Sequence, residues 1–242
     1  MNFTTQFDRE LVSSVPLYRH YPQLLPLIGP EFGHFGKRLL LIGESHYLPH
    51  LDESGREITI HHHDESWYQA NENLLDTTQK KWLNTRENAG SGENQKYTSR
   101  AYSIYRNIEY AIKESGFKPS DTSNMFNYVA YANYFLRPAR TGVSLQVTGK
   151  DSKVSYDTFR SLAQILEVDY LYFVSKLAWR SFMYMNEDRD RLDQAQVRVF
   201  PHPASSWWNR TSPAYSIEPG KPLTGKQFFI AALQRDQIFR TI

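Results

Sequence analysis

The chain has 242 residues, with 28 Lys and Arg against 26 Asp and Glu for a net charge of +2, and no cysteine. That length can bury a full core in one domain, while so even a charge balance gives no argument of its own for a nucleic acid or a membrane surface as partner. Disulfides, thiolate zinc sites, cysteine-ligated iron–sulfur clusters and a cysteine nucleophile are excluded, and the lack of a basic-then-apolar start or a bilayer-length apolar run predicts a cytoplasmic protein with no membrane partner.

In chain order, residues 16 to 29 carry Leu17, Tyr21, Leu24, Leu25 and Ile28 at helical spacing, with Pro22 and Pro26 placed to break the helix and Gly29-Pro30 to stop it. The uninterrupted apolar run from Leu39 to Ile42 reads as a strand of a parallel sheet buried on both faces, spanning 38 to 43. From Leu48 the composition turns polar, so an insertion is expected at about 48–97, with one helix at about 65 to 86, inside a single domain spanning 1–242. Ser99 to Ser115 has a helical apolar face, Phe126 to Phe135 reads as a strand, and a helix follows at about 155 to 166. The strand Tyr170 to Val174, a helix from Lys176 to about Met185 and a strand at 197 to 200 complete an alternation that predicts helices on both faces of a mostly parallel sheet.

Two loops stand where such a sheet does its chemistry, just beyond the carboxyl ends of strands. One is Gly43-Glu44-Ser45-His46-Tyr47, directly after the first strand, and the other is the stretch from Phe200 to Arg210, which holds His202, Ser205, Ser206, Trp207 and Trp208. Aromatic residues make up 14% of the chain, enough to suit a cleft that stacks flat rings as well as a packed core.

These pieces together resemble the uracil-DNA glycosylase superfamily, whose members carry Gly-Gln-Asp-Pro-Tyr after the first strand and a late His-Pro-Ser loop. Here the two read Gly43-Glu44-Ser45-His46-Tyr47 and His202-Pro203-Ala204-Ser205, and Ser103 to Ile108, Asn133, Tyr170 to Trp179 and Gly225 to Phe229 fit the family's remaining pieces in order. The resemblance implies a three-layer α/β/α sandwich on a short, mostly parallel four-stranded sheet. It implies an enzyme that hydrolyses the N-glycosidic bond of uracil or a related damaged base in single- or double-stranded DNA, without cofactor or metal.

On that resemblance Asn133 reads the pairing edge of a flipped base, because an amide both accepts and donates. His202 donates to the departing base, and Tyr47 bars a 5-methyl group. Gly43 and His46 complete the base-binding set, Ser45 and Glu44 join His202 in the catalytic set, and Ser205, Ser206, Trp207 and Arg210 meet DNA. Ser45 stands where the best-known branch has an Asp that positions the attacking water.

Alternatives remain at this point. Asn127 competes with Asn133. Gly43-Glu44-Ser45 and His202-Pro203 also resemble the nucleophile and closing histidine blocks of Ser-Gly-Asn-His esterases, although Val199 replaces that family's orienting Asp. A non-catalytic nucleic-acid-binding module is a third reading. The run His61 to Asp64, with His46 or His50, has ligand types that suit a metal, and Arg137, Arg140, Lys176, Arg180 and Arg210 are candidates for phosphate contacts.

Overall fold

The structure, a computed structural model, describes residues 3–89, 102–121, 124–188 and 190–239. Helices α1 (Asp8–Ser14) and α2 (Pro16–His20) lead into strands β1 (Leu27–Ile28) and β2 (Leu39–Leu48). Short helices α3 (Asp64–Gln69), α4 (Thr77–Leu83) and α5 (Thr85–Ala89) follow, then α6 (Ser103–Glu114) and β3 (Ala130–Arg140). The remainder is α7 (Gly149–Ile165), β4 (Tyr170–Phe173), α8 (Lys176–Met185), β5 (Arg191–Leu192), β6 (Ala195–Val199), the β7 (Thr211–Ser216) and β8 (Pro222–Thr224) hairpin, and α9 (Gly225–Arg235).

The main sheet is six-stranded and mixed, in the order β1-β3-β2-β4-β6-β5. Its inner strands β3, β2, β4 and β6 run parallel, while β1 and β5 pair antiparallel at the two edges. The four-stranded expectation therefore undercounts the sheet, because the edge strands have two residues each, too few to leave a pattern in the sequence. The proline-broken segment behaves as its residues dictate: α2 stops at His20, Pro22–Leu24 forms a single 3-10 turn, and the chain then enters β1.

Strand residues alternate between two apolar layers. Leu40, Ile42, Ala132, Tyr134, Leu171 and Phe173 pack with Phe159 and Leu162 of α7 and Phe182 of α8. On the opposite face Leu39, Leu41, Tyr131 and Tyr172 pack with Ile108 of α6 and Phe229 of α9. Helices thus cover both faces. No described helix is long and apolar enough to cross a membrane.

The expected single helix at 65 to 86 is instead three short ones. α3 ends at Gln69, Asn71 then caps a 3-10 turn, and Asp76 starts α4 through a capping box with Gln79. Residues 90–97 of the expected insertion lie outside the described residues, and the described part, 48–89, packs into the core. Trp67 is buried, stacks on Tyr21 with ring centroids 4.2 Å apart, and donates from Nε1 to the Leu136 carbonyl at 3.0 Å. Ile58, Leu75 and Leu83 join the same core as Ile42 and Phe173.

Arg137, a candidate phosphate ligand by sequence, is buried and paired with Asp151 in the first turn of α7, at 2.9 Å from Nε and 2.5 Å from Nη2. Its remaining donors reach the carbonyls of His61 (2.9 Å) and Gln146 (2.8 Å), and Asp151 also accepts from Tyr68 Oη at 2.8 Å. The pair ties β3, α7 and the insertion together. Asp151→Ala leaves a buried guanidinium uncompensated and should cost about 3–5 kcal/mol in urea unfolding. Lys153→Ala, which breaks the exposed Lys153–Asp157 pair of the same helix, should cost no more than about 1 kcal/mol.

Candidate active site

The site is built where β2 outruns its neighbour. β4 pairs with β2 only as far as Ile42↔Phe173, while β3 follows it to Leu48↔Arg140. Gly43 is therefore not the end of the strand, as its sequence suggests, but the point where β2, among the described residues, continues with a partner on one side alone. The ladder slips between Ser45↔Phe135 and Tyr47↔Ala139, where Pro138 has no N–H to give.

At Gly43 the reason for glycine is close approach. An added Cβ would lie 2.1 Å from Tyr131 Oη and 2.3 Å from Asn133 Oδ1. Those two atoms are hydrogen-bonded at 3.0 Å, with the Tyr131 hydroxyl donating, and Asn133 is buried. Tyr131 is in turn hydrogen-bonded to Tyr105 of α6. Burial, then Tyr105 and the charge of Glu44, hold the Tyr131 phenol well above its ordinary range, so it stays a donor and fixes the Asn133 carbonyl.

Glu44 occupies the opening left by the end of β4. Ser175, the N-cap of α8, donates from Oγ to Glu44 Oε2 at 2.7 Å while accepting from the Ala178 N–H at 3.2 Å. The carboxylate is half-buried. Its charge is felt at three neighbours: Tyr131, Tyr47 and His202. Tyr47 remains 43% exposed, its phenol pushed up by partial burial and then by Glu44.

His202 is held from several sides. Its Nδ1 accepts from the Ala204 N–H at 3.2 Å, its carbonyl accepts from Ser205 N (2.8 Å) and Oγ (2.7 Å), and Asn107 Nδ2 of α6 donates to the Pro203 carbonyl at 2.8 Å. Burial lowers the imidazole pKa against the pull of Glu44, which leaves it neutral at neutral pH. With Nδ1 committed as an acceptor, the ring proton sits on Nε2 as an available donor.

Glu44, Tyr47, His202 and the Gly43–Asn133 pair are thus brought together. His46 is not among them: it turns into the insertion, is buried, and bonds Thr85 Oγ1 of α5 through Nε2 at 3.0 Å. Ser45 Oγ is buried with no hydrogen-bond partner among the described residues, and Ser205 Oγ folds back on its own loop. Ser206, Trp207 and Arg210 are exposed on the outside of that loop, with Trp207 at 51%, whereas Trp208 is buried against Phe229 with ring centroids 5.5 Å apart. Asn127 bonds Asp121 Oδ2 at 3.1 Å before β3 begins, at the other end of the sheet from Asn133.

Sequence reasoning missed Ser175 and Tyr131, and it took Asn107 only as part of the Ser103 to Ile108 stretch, without its hold on the late loop. A Ser between an apolar strand and a helix is a legible cap, which is the signal that points to Ser175. Tyr131 carries none. Comparison with protein-family models and with curated proteins finds no match for this chain.

Two expectations follow from this geometry. Gly43→Ala should cost about 1–3 kcal/mol through overpacking and displace Asn133, read as a lower urea midpoint and altered near-ultraviolet tyrosine signals. His46 has its pKa lowered from 6.5 to about 4 by burial, a backbone hydrogen bond with Trp82 opposing the shift. Between those values the unfolded chain binds the extra proton, so stability rises with pH, is complete above 6.5, and falls by roughly 3 kcal/mol as pH drops through 4. His46→Gln should remove one proton's worth of slope from urea stabilities measured at stepped pH.

Proposed function

We propose that the chain is a cytoplasmic DNA glycosylase, a hydrolase of N-glycosidic bonds that removes uracil or a related damaged base on a three-layer α/β/α domain like that of the uracil-DNA glycosylases. The observation that carries the reading is His202: a neutral imidazole, fixed as an Nε2–H donor, within charge reach of the Glu44 carboxylate. The parallel order β3-β2-β4-β6, with both loops at the carboxyl edge, supports it.

In this mechanism a base is flipped out of the stack and read on its pairing edge by Asn133. The Asn133 Nδ2 donates to the 4-carbonyl, and Oδ1 accepts from the ring N–H on its second lone pair, the first being used by Tyr131. As the bond between the sugar C1′ and the base nitrogen breaks, its electron pair moves to the base. His202 donates to the 2-carbonyl oxygen where that charge collects. Glu44, oriented by Ser175, holds the water that attacks C1′, takes its proton, and offsets the positive charge growing on the sugar. The carboxylate thus comes from position 44, one residue before the place where the resemblance sets an Asp. Trp207 and Arg210 are exposed to meet the DNA.

The esterase reading lacks support in the same geometry. Ser45 Oγ bonds no imidazole, and the His202 Nδ1 that a carboxylate would orient accepts from a backbone N–H instead.

Base release from a uracil-containing single-stranded oligonucleotide, scored as alkali-labile abasic sites, tests the proposal. His202→Ala and Glu44→Gln should each slow release by roughly a hundredfold or more with DNA binding retained, and Ser45→Ala should do little. Aryl-ester hydrolysis abolished by Ser45→Ala would install the esterase instead. Tight DNA binding with no release of any deaminated base would leave a binding module.

A further inference from the structure

The histidine run at 61 to 63 has no part in the chemistry above, yet it holds an oddity: His61 is 2% exposed and neither ring nitrogen has a hydrogen-bond partner among the described residues. A neutral imidazole carries one N–H and one lone pair, and leaving both unmet in a buried place is costly. The neighbours of the ring suggest what meets them. His62 lies edge-on to it with centroids 4.8 Å apart, and His50, Arg137 and Arg140 are close enough for their charges to act on it. Arg140 Nε donates to His50 Nδ1, and His50, His62 and Arg140 are all exposed.

The charges around the ring are one-sided. Arg137 is neutralised by Asp151, and the nearby Asp64 is turned to the Thr148 hydroxyl at 2.6 Å. Arg140 has no carboxylate partner among the described residues. A cation is a poor occupant, since Arg140 already uses one imidazole lone pair and its guanidinium would repel a metal ion. No group of three His, Cys, Asp or Glu suited to a metal occurs among the described residues. An oxyanion fits: guanidinium and imidazole N–H groups are donors, and phosphate oxygens are acceptors.

We propose that His50, His61, His62 and Arg140 form a phosphate-binding site, with Arg140 as its fixed charge and the buried His61 as its floor. The phosphate is either free in solution or part of a DNA backbone. Arg140 pairs with Leu48 at the far end of the ribbon that carries Glu44, four residues or roughly 13 Å along the strand. A strand lying across the carboxyl edge would reach both. The site does not depend on base excision, and failure of the glycosylase reading leaves it standing.

The test uses the exposed substitutions Arg140→Gln and His62→Ala, each checked for an unchanged thermal midpoint, with calorimetric titration of inorganic phosphate and, separately, of a single-stranded oligonucleotide at several salt concentrations. Phosphate binding by the wild type that weakens about tenfold in Arg140→Gln establishes the site. If oligonucleotide affinity falls as well, with a salt slope shallower by about 0.7, the phosphate is one of the DNA backbone. If only inorganic phosphate responds, the ligand is a free anion. Wild-type behaviour of both variants towards both probes overturns the proposal, as does a zinc ion that binds here and raises the thermal midpoint while phosphate has no effect.

Discussion

At Gly43 two strands approach so closely that a hydrogen is the only side chain that fits, and the geometry of the carboxyl edge follows from that approach. The space a Cβ would fill is taken by the hydrogen bond between Tyr131 and Asn133. That bond sets the amide at the point where β2 parts from β4. One residue later Glu44 emerges into the opening and meets the cap of α8. Amide and carboxylate are adjacent because the strands are, and both are held by partners that have no freedom to move: a buried phenol on one side and a helix-capping hydroxyl on the other. Such supported groups lose little entropy when they engage a ligand, which is the condition for a preorganised site.

Charge is distributed by the same arrangement. Burial disfavours the ionised forms of Tyr47, Tyr131 and His202, and the groups at the edge differ in the hydrogen bonds they are given. Glu44 receives a hydroxyl donor from Ser175, while His202 receives a backbone donor on Nδ1, which suits a neutral ring and not a protonated one. A carboxylate therefore faces a neutral imidazole. Had Nδ1 faced a carbonyl or a carboxylate, the attraction of Glu44 would favour an imidazolium, which could not increase its donation to a departing base without first displacing the carboxylate.

The inner strands were legible because each lies in a short, mostly apolar run; those read from 38, 126, 170 and 197 begin at 39, 130, 170 and 195. The end of β2 was not, because a strand ends where its partner does, and the length of β3 is a fact about residues nearly a hundred positions away. Placing His46 in a base pocket failed for a related reason. Alternation sets 44, 46 and 48 on one face, but what covers that face is an insertion whose polar composition conceals the buried Trp67, Leu75 and Leu83. The fate of Arg137 was hidden in the same way: nothing in the spacing of Arg137 and Asp151 marks a buried pair, which exists only once α7 lies against β3. The twin tryptophans divided because Trp208 meets α9 while Trp207 is carried to the outside of a 3-10 turn.

The insertion then has a physical task. Among the described residues, β2 beyond Ile42 has only β3 beside it, and a two-stranded ribbon is marginal in water by itself. Three ties brace this one from the insertion: His46 to Thr85, Trp67 to the Leu136 carbonyl, and Arg137 to the His61 carbonyl. Each joins a ribbon residue to a different part of 48–97. The described part of the polar insertion is the second wall of the strand that carries Glu44. Loosening it would reach the chemistry through the ribbon, without touching any group that meets substrate.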